Sequence, residues 1–135
     1  HEKFTTFEAT FIFLITGIYS DDIENRNFDQ GNHGFLREWY DDGNIYLEFQ
    51  MNNGIKNGLC KKWYNNGQIQ MIYNYKKGRL HGNQKRWYEN GQLKSELNYL
   101  SDKQDGISKE WYEDGKIKTI KKFINGSLVE TLEHN

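Results

Sequence analysis

The sequence contains no proline and a single cysteine, and each shortage narrows the structures open to the chain. Proline removes a hydrogen-bond donor from a β-ladder, so its absence suits a chain made mostly of paired strands. Cys60 has no second cysteine to pair with, which excludes an intrachain disulfide and leaves the cellular compartment open. Hydrophobic residues make up 36% of the chain, below the ~45–50% of an ordinary globular protein. This shortfall suits a thin, sheet-like molecule with little interior.

The chain also lacks a large net charge of either sign. The chain has 18 basic and 19 acidic residues and a formal net charge of −1. No basic footprint for nucleic acid is visible in this balance, so we expect no nucleic-acid partner. Aromatic residues, in contrast, reach 16%, which predicts that apolar burial rests on rings rather than on aliphatic side chains.

The one strongly apolar stretch is TFEATFIFLITGIYS, residues 6–20, whose uninterrupted apolar core is too short to span a bilayer. It could be a secretory signal with Ser20 before the cleavage point, although Glu2 and Glu8 stand where such signals are usually basic. The favoured alternative is a buried first strand that caps the rest of the molecule. Residues 20–33 look like the second half of a degenerate repeat unit.

A 24-residue repeat organises the remainder of the chain. The segments REWYDDGNIY, KKWYNNGQIQ, KRWYENGQLK and KEWYEDGKIK begin at positions 37, 61, 85 and 109. A pattern that recurs at a fixed period indicates architecture rather than a single active site. Four units align without a gap, and residues 130–135 are expected to form a frayed tail. The units are 34–57, 58–81, 82–105 and 106–129.

Each unit is typical of a β-hairpin, because short runs of Trp, Tyr, Ile and Phe flank an Asn-Gly or Asp-Gly pair. No helical periodicity persists in the units. We therefore predict an all-β fold of tandem 24-residue hairpins that form one elongated, twisted antiparallel meander sheet. The predicted turn glycines are Gly43, Gly67, Gly91 and Gly115.

Two registers are compatible with the hairpin of each unit. A two-residue turn pairs Tyr64 with Ile69, whereas a type I turn followed by a glycine bulge pairs Trp63 with Ile69. The second register is favoured because it collects more apolar area on one face. That face then also contains the predicted pairs Leu59 with Tyr73 and Phe35 with Phe49. The opposite face would carry charged residues that suit water, namely Glu38, Lys62, Arg86 and Glu110.

A candidate interaction face follows from the favoured register. A basic residue stands two positions before each tryptophan, which predicts a ladder of cations about 10 Å apart, all of one sign, beside aromatic rings. The simpler interpretation is that each aliphatic stem covers a ring while its charged head reaches water. The alternative is a stripe that binds an acidic protein segment, an anionic glycan or lipid head groups. The residues are Arg37, Trp39, Lys61, Trp63, Lys85, Trp87, Lys109 and Trp111.

The sequence contains no convincing catalytic, metal-binding or cofactor-binding set. His33 and His81 each precede a unit-opening glycine, and a repeated position explains them better than a metal site does. The paired acids of the first and last units lie in predicted hairpin turns, where water keeps a carboxyl group from acquiring the raised pKa of a general acid. These acids are Asp41, Asp42, Glu113 and Asp114.

The segment GLCKKWYNNGQIQMIYNYKKGRLHG resembles the bacterial variant of the MORN (membrane occupation and recognition nexus) repeat. The matching pattern is G-x4-W-Y-x2-G-x-[IL] followed by aromatic-x2-G-x3-G, and it extends over residues 34–129. Similar bacterial chains are described as exported 24-residue repeat proteins or as antitoxins of toxin–antitoxin systems. The resemblance implies a single-layer sheet of hairpins that contacts proteins or membranes, and it brings no catalytic residues. The chain lacks the Tyr-Glu-Gly motif of the eukaryotic unit.

The leading functional hypothesis is therefore a non-enzymatic repeat scaffold that binds a protein partner through its aromatic and basic face. A separate alternative, implied by the resemblance, is an antitoxin that neutralises a protein toxin. The runner-up is a module that binds a membrane surface, an anionic lipid or a glycan. Net charge weakens this second hypothesis, because it gives little attraction to anionic lipid. The open edges of a meander would also permit an edge-to-edge dimer. Export to the cell envelope and a cytoplasmic location both fit the sequence.

Overall fold

The computed structural model describes residues 3–5 and 34–134. These residues form twelve β-strands of one antiparallel sheet, and no helix occurs among them. The strands are β1 (Lys3–Thr5), β2 (Gly34–Tyr40), β3 (Ile45–Asn52), β4 (Ile55–Trp63), β5 (Ile69–Lys76), β6 (Arg79–Leu80), β7 (Gly82–Trp87), β8 (Leu93–Leu100), β9 (Lys103–Gln104), β10 (Gly106–Trp111), β11 (Ile117–Ile124) and β12 (Ser127–His134).

The strands follow one another across the sheet in nearly the order of the sequence. The spatial order is β1-β2-β3-β4-β5-β7-β8-β10-β11-β12, while the two-residue strands β6 and β9 pair with β5 and β8. No connection crosses over another strand in this part of the chain. The predicted all-β meander of successive hairpins is confirmed.

The first turn of each unit has the favoured geometry. In the second unit, the Gly67 N–H donates to the Tyr64 carbonyl at 3.0 Å and the Tyr64 N–H donates to the Gln68 carbonyl at 2.9 Å. Gly67 has φ +91°, the left-handed conformation that glycine adopts without steric cost. Trp63 consequently pairs with Ile69, and the register predicted from the glycine bulge is confirmed.

A β-bulge follows this pair and overturns two predicted contacts. The register shifts by one residue between Lys62 and Trp63, because the opposite strand contains one extra residue at this point. As a result, Leu59 pairs with Asn74 and Tyr73 pairs with Cys60. The same shift in the first unit pairs Phe35 with Gln50 rather than with Phe49. The predictions of Leu59 with Tyr73 and Phe35 with Phe49 were therefore wrong.

The two faces of the sheet differ in burial. We call the side with Trp63 and its equivalents the tryptophan face, and the side with Tyr64 and its equivalents the tyrosine face. The tyrosine face holds the most deeply buried repeated position. The charged residues predicted on this face are half-buried or exposed, namely Glu38, Lys62, Arg86 and Glu110. In the second unit the most deeply buried position is Cys60, which pairs with Tyr73 across the hairpin. The residues there are Leu36, Cys60, Gln84 and Ser108, at 2%, 4%, 1% and 5% exposure.

The second turns connect one unit to the next through two residues with positive φ. Asn53 and Asn125 adopt φ +53° and +50°, each followed by glycine, which is the typical chemistry of a tight two-residue hairpin turn. In the third unit Asp102 replaces the glycine and still adopts φ +70°. Its carboxylate accepts a hydrogen bond from the Leu80 N–H at 2.7 Å. The irregular third unit thereby retains the same turn.

The C-terminal end of the chain differs from the prediction, and most of the N-terminal segment lies outside the described residues. The predicted frayed tail is wrong for residues 130–134, which belong to β12 and extend its pairing with β11 as far as His134. At the other end, β1 pairs with β2. The apolar segment 6–20 and the predicted half-unit 20–33 lie outside the described residues.

Candidate interaction face

The tryptophan face presents one indole and one cation per unit. Trp39, Trp63, Trp87 and Trp111 all pair with an aliphatic residue across the hairpin and are half-buried. Two residues earlier on each strand, the four predicted cations lie on the same face, because side chains alternate along a strand. The register thus brings together all eight residues predicted from the sequence.

The ladder of cations does not have a single sign. Glu48 lies directly between Arg37 and Lys61, and Glu96 lies directly between Lys85 and Lys109. The expectation of a row of one sign was therefore wrong, because it considered one strand of each hairpin and not its partner. The full row across the sheet reads Arg37, Glu48, Lys61, Ile72, Lys85, Glu96, Lys109, Ile120 and Glu133.

Two of the four cations are paired with these carboxylates. The Arg37 Nε donates to the Glu48 carboxylate at 2.8 Å, and the Lys85 Nζ lies 3.9 Å from the Glu96 carboxylate. Within the described part of the chain, Lys61 and Lys109 form no ion pair. The row therefore offers two unpaired amines that alternate with two neutralised charge pairs.

The tyrosine face carries a repeated hydrogen bond that the sequence analysis missed. The Tyr40, Tyr64 and Tyr88 hydroxyls each donate to the backbone carbonyl of the tryptophan in the next unit, at 2.9, 2.6 and 2.8 Å. Burial raises the pKa of the Tyr40 and Tyr64 hydroxyls. The recurrence of tyrosine beside every tryptophan was visible in the sequence, but the distant acceptor was not. These bonds fix the relative position of successive tryptophans.

Cations over aromatic rings are concentrated on the tyrosine side. Lys62 lies 5.3 Å from the Tyr46 ring centre, Lys94 lies 5.3 Å from that of Tyr88, and Lys118 lies 5.8 Å from that of Tyr112. Of the ladder cations, Arg37 lies over the ring of Phe35 at 5.3 Å. None of the described contacts places a cation over a tryptophan ring. Cation–π pairing among these residues therefore involves tyrosine and phenylalanine rings.

The pKa shifts of the thiol and carboxyl groups near the face do not favour a reactive role for either group. Burial raises the pKa of the Cys60 thiol, which disfavours the reactive thiolate. Hydrogen bonds from the Asn44 backbone and the Asn65 side chain lower the pKa of Asp42, the opposite of what a general acid requires. Among residues 3–5 and 34–134, no cluster of His, Cys, Asp and Glu could hold a metal ion, and no helix has the length and apolar character needed to cross a membrane.

Comparison with known families identifies the repeat. The profile described as MORN repeat variant matches residues 56–77, 80–100 and 104–132, which together are more than half of the chain. The chain belongs to the MORN repeat variant family. No curated protein matches the sequence.

MORN repeats are non-enzymatic units that commonly contact proteins or membranes. In this MORN chain the family matches begin at residue 56, the second residue of β4 and just after the second turn of the first unit. The unit that contains Trp39 precedes them and nevertheless has the same Trp–Ile pairing across its hairpin. The candidate face therefore continues across the first unit as well.

Proposed function

We propose that the chain is a non-enzymatic scaffold that binds a protein partner on its tryptophan face. The observation that carries this proposal is the row in which cations, carboxylates and isoleucines alternate beside four tryptophans. Tryptophan and arginine are enriched among residues that dominate binding energy at protein interfaces. A row of mixed sign complements a protein surface of mixed sign, and it gives specificity through charge order.

A membrane surface is a poorer match to the same face. Attraction to anionic lipid grows by about 1 kcal/mol for each basic residue near the surface, and like-charged carboxylates oppose it. Glu48 and Glu96 stand within the row of cations, and the net charge of the chain is −1. A protein partner therefore remains the better-supported occupant.

The proposal is tested by neutralising the two unpaired amines. The double variant Lys61→Gln/Lys109→Gln removes them, and Lys94→Gln/Lys118→Gln removes the same charge from the tyrosine side. A partner recovered from native cells should be purified, and its affinity measured for all three proteins. We expect at least a tenfold loss for the first variant and less than a twofold change for the control. Equal affinities for all three proteins would refute the proposed face.

Flotation of the protein with vesicles, at low and at physiological salt, separates the two classes of ligand. We expect no flotation with phosphatidylcholine vesicles that contain an anionic phosphatidylserine fraction. Salt-sensitive flotation that is lost in the Lys61→Gln/Lys109→Gln variant would instead assign the tryptophan face to membranes.

A further inference from the structure

A cleft of about 330 Å³ opens between the second turns of the second and third units. Its lining consists of Lys76, Lys77, Arg79, His81 and Ser101, and we call it the basic cleft. None of the described lining residues is a carboxylate. The volume falls at the lower end of the range for small-molecule sites.

No ion pair among the residues that the structure describes neutralises the positive charge of the basic cleft. Among the described residues, Lys76, Lys77 and Arg79 form no ion pair. The nearest acid in sequence on the facing turn is Asp102, whose carboxylate accepts the Leu80 N–H at 2.7 Å and is thereby directed to the backbone. The His81 side chain and the Ser101 hydroxyl also lack a hydrogen-bond partner in the described part of the protein.

All three cations occupy positions that the fold alone disfavours. Lys76 and Arg79 lie directly opposite each other across the turn, and like charges in such a pair destabilise a sheet. Lys77 adopts φ +51°, a conformation that Asn tolerates far better than lysine does. The equivalent residues of the first and fourth units are Asn53 and Asn125. Turn chemistry therefore gives no reason for three cations here.

The position of His81 adds an independent irregularity. The equivalent Asn57 and Asp105 accept hydrogen bonds from the Lys77 and Asn125 N–H groups, at 2.9 and 3.0 Å. Each bond joins a unit to the second turn of the unit that follows. At the junction that contains the basic cleft, His81 replaces this acceptor, and no such bond to Ser101 forms among the described residues. This inter-unit hydrogen bond is thus absent at the junction where the three unpaired cations lie.

We propose that the basic cleft binds a phosphate group that carries more than one negative charge. A single carboxylate would leave two of the three cations unpaired, whereas a phosphate monoester has a charge of about −1.5 to −2 at neutral pH and three acceptor oxygens. The Arg79 guanidinium can pair with two phosphate oxygens in a fork, and the lysines act as additional point charges. This site is separate from the tryptophan face and does not depend on the function proposed for that face.

Calorimetric titration of the full chain with inorganic pyrophosphate at constant, low ionic strength tests the proposal. The variant Lys77→Asn/Arg79→Gln lowers the charge and places at position 77 the residue that the turn prefers, so it should fold as well as the parent. Lys94→Gln/Lys118→Gln is the control of equal charge. We expect saturable binding that is at least tenfold weaker in the first variant and changes less than twofold in the control.

Absence of saturable binding to the parent protein, or equal weakening in both variants, would overturn the proposal. Vesicles of phosphatidylcholine with a phosphate-monoester lipid distinguish the source of the group. Vesicle binding that pyrophosphate displaces, and that needs Lys77 and Arg79, would indicate a lipid head group. Pyrophosphate binding without vesicle binding would indicate a soluble phosphorylated ligand.

Discussion

At the scale of single residues, the tyrosine hydroxyls have the clearest role. Each one reaches a tryptophan carbonyl in the following unit, so it satisfies a backbone acceptor at the last residue of a strand. A neutral hydrogen bond of this kind contributes about 0.5–1.5 kcal/mol to stability. The array repeats the bond at every junction between its four units.

Substitution of one such tyrosine measures the bond directly. Tyr64→Phe keeps the ring and removes the hydroxyl that donates to Trp87 at 2.6 Å, so the free energy of unfolding should fall by about 0.5–1.5 kcal/mol. Tyr73→Phe is the matched control, because the Tyr73 hydroxyl has no hydrogen bond among the described residues. Denaturant titration followed by circular dichroism gives both values. Similar losses in the two variants would contradict a specific role for the bond.

The raised pKa values of the tyrosines predict a loss of stability in alkali. Burial raises the pKa of Tyr40, Tyr64, Tyr75 and Tyr99, so the unfolded chain loses these protons first, near pH 10. Their contribution is complete below that pH and is lost as the pH rises through the folded-state values. The denaturant midpoint should therefore fall above pH 10, and less steeply in Tyr64→Phe. A midpoint independent of pH between 9 and 11 would contradict this.

At the scale of the elements, neighbours determine how firmly each strand is held. Strand β7 pairs with β5 and β8, whereas β12 pairs with β11 alone within the described residues. All eight residues of β12 are exposed, including Leu128, Val129 and Leu132 at 51%, 50% and 48%. An edge strand that buries little apolar area belongs to the least stable part of a structure.

Amide hydrogen exchange should reveal this gradient. The amides of β12 are expected to exchange at least tenfold faster than those of β7 and β8, because opening β12 breaks one ladder and exposes little new apolar surface. Mass spectrometry of peptides from the two regions, at one pH and temperature, provides the comparison. Equal protection in β12 and β7 would show that the array opens only as a whole.

The sequence predicted the elements and their first turns better than the faces of the sheet. Asx-Gly pairs located the first turns and left two registers open, and the larger apolar area on one face selected the register of Trp63 with Ile69 that the structure has. The bulge that follows carries no such signature, so the pairing of Leu59 was displaced. Glu48 and Glu96 recur in alternate units, and this regularity was available to detect the mixed row. The tyrosine hydroxyls bind backbone carbonyls of the next unit, and backbone carbonyls have no signature in the sequence, so these hydrogen bonds could not be predicted.

At the scale of the whole molecule, each strand from β3 to β12 pairs with a strand that directly precedes it or nearly so in the sequence, whereas β1 and β2 pair over a long separation. Short loops close at little entropic cost, so a topology of local contacts folds faster than sandwiches of comparable size. The chain also has no proline, and the slow phase of 10–100 s that proline isomerisation causes has no source here.

Refolding after dilution from denaturant should accordingly be complete within about a second. Stopped-flow tryptophan fluorescence follows the process, because each unit contains one tryptophan. Manual mixing over several minutes provides the control for slow phases. A phase of tens of seconds with substantial amplitude, independent of protein concentration, would contradict purely local folding.

The meander order also determines how the molecule would respond to mechanical force. Hydrogen bonds in an antiparallel sheet run perpendicular to the strands, so they lie along the direction in which the units follow one another. Tension applied between the first and last units would open one ladder at a time from an end, as a zipper opens, instead of shearing many bonds together. Such a sheet extends in small steps under low force, and each released hairpin can close again when the tension falls.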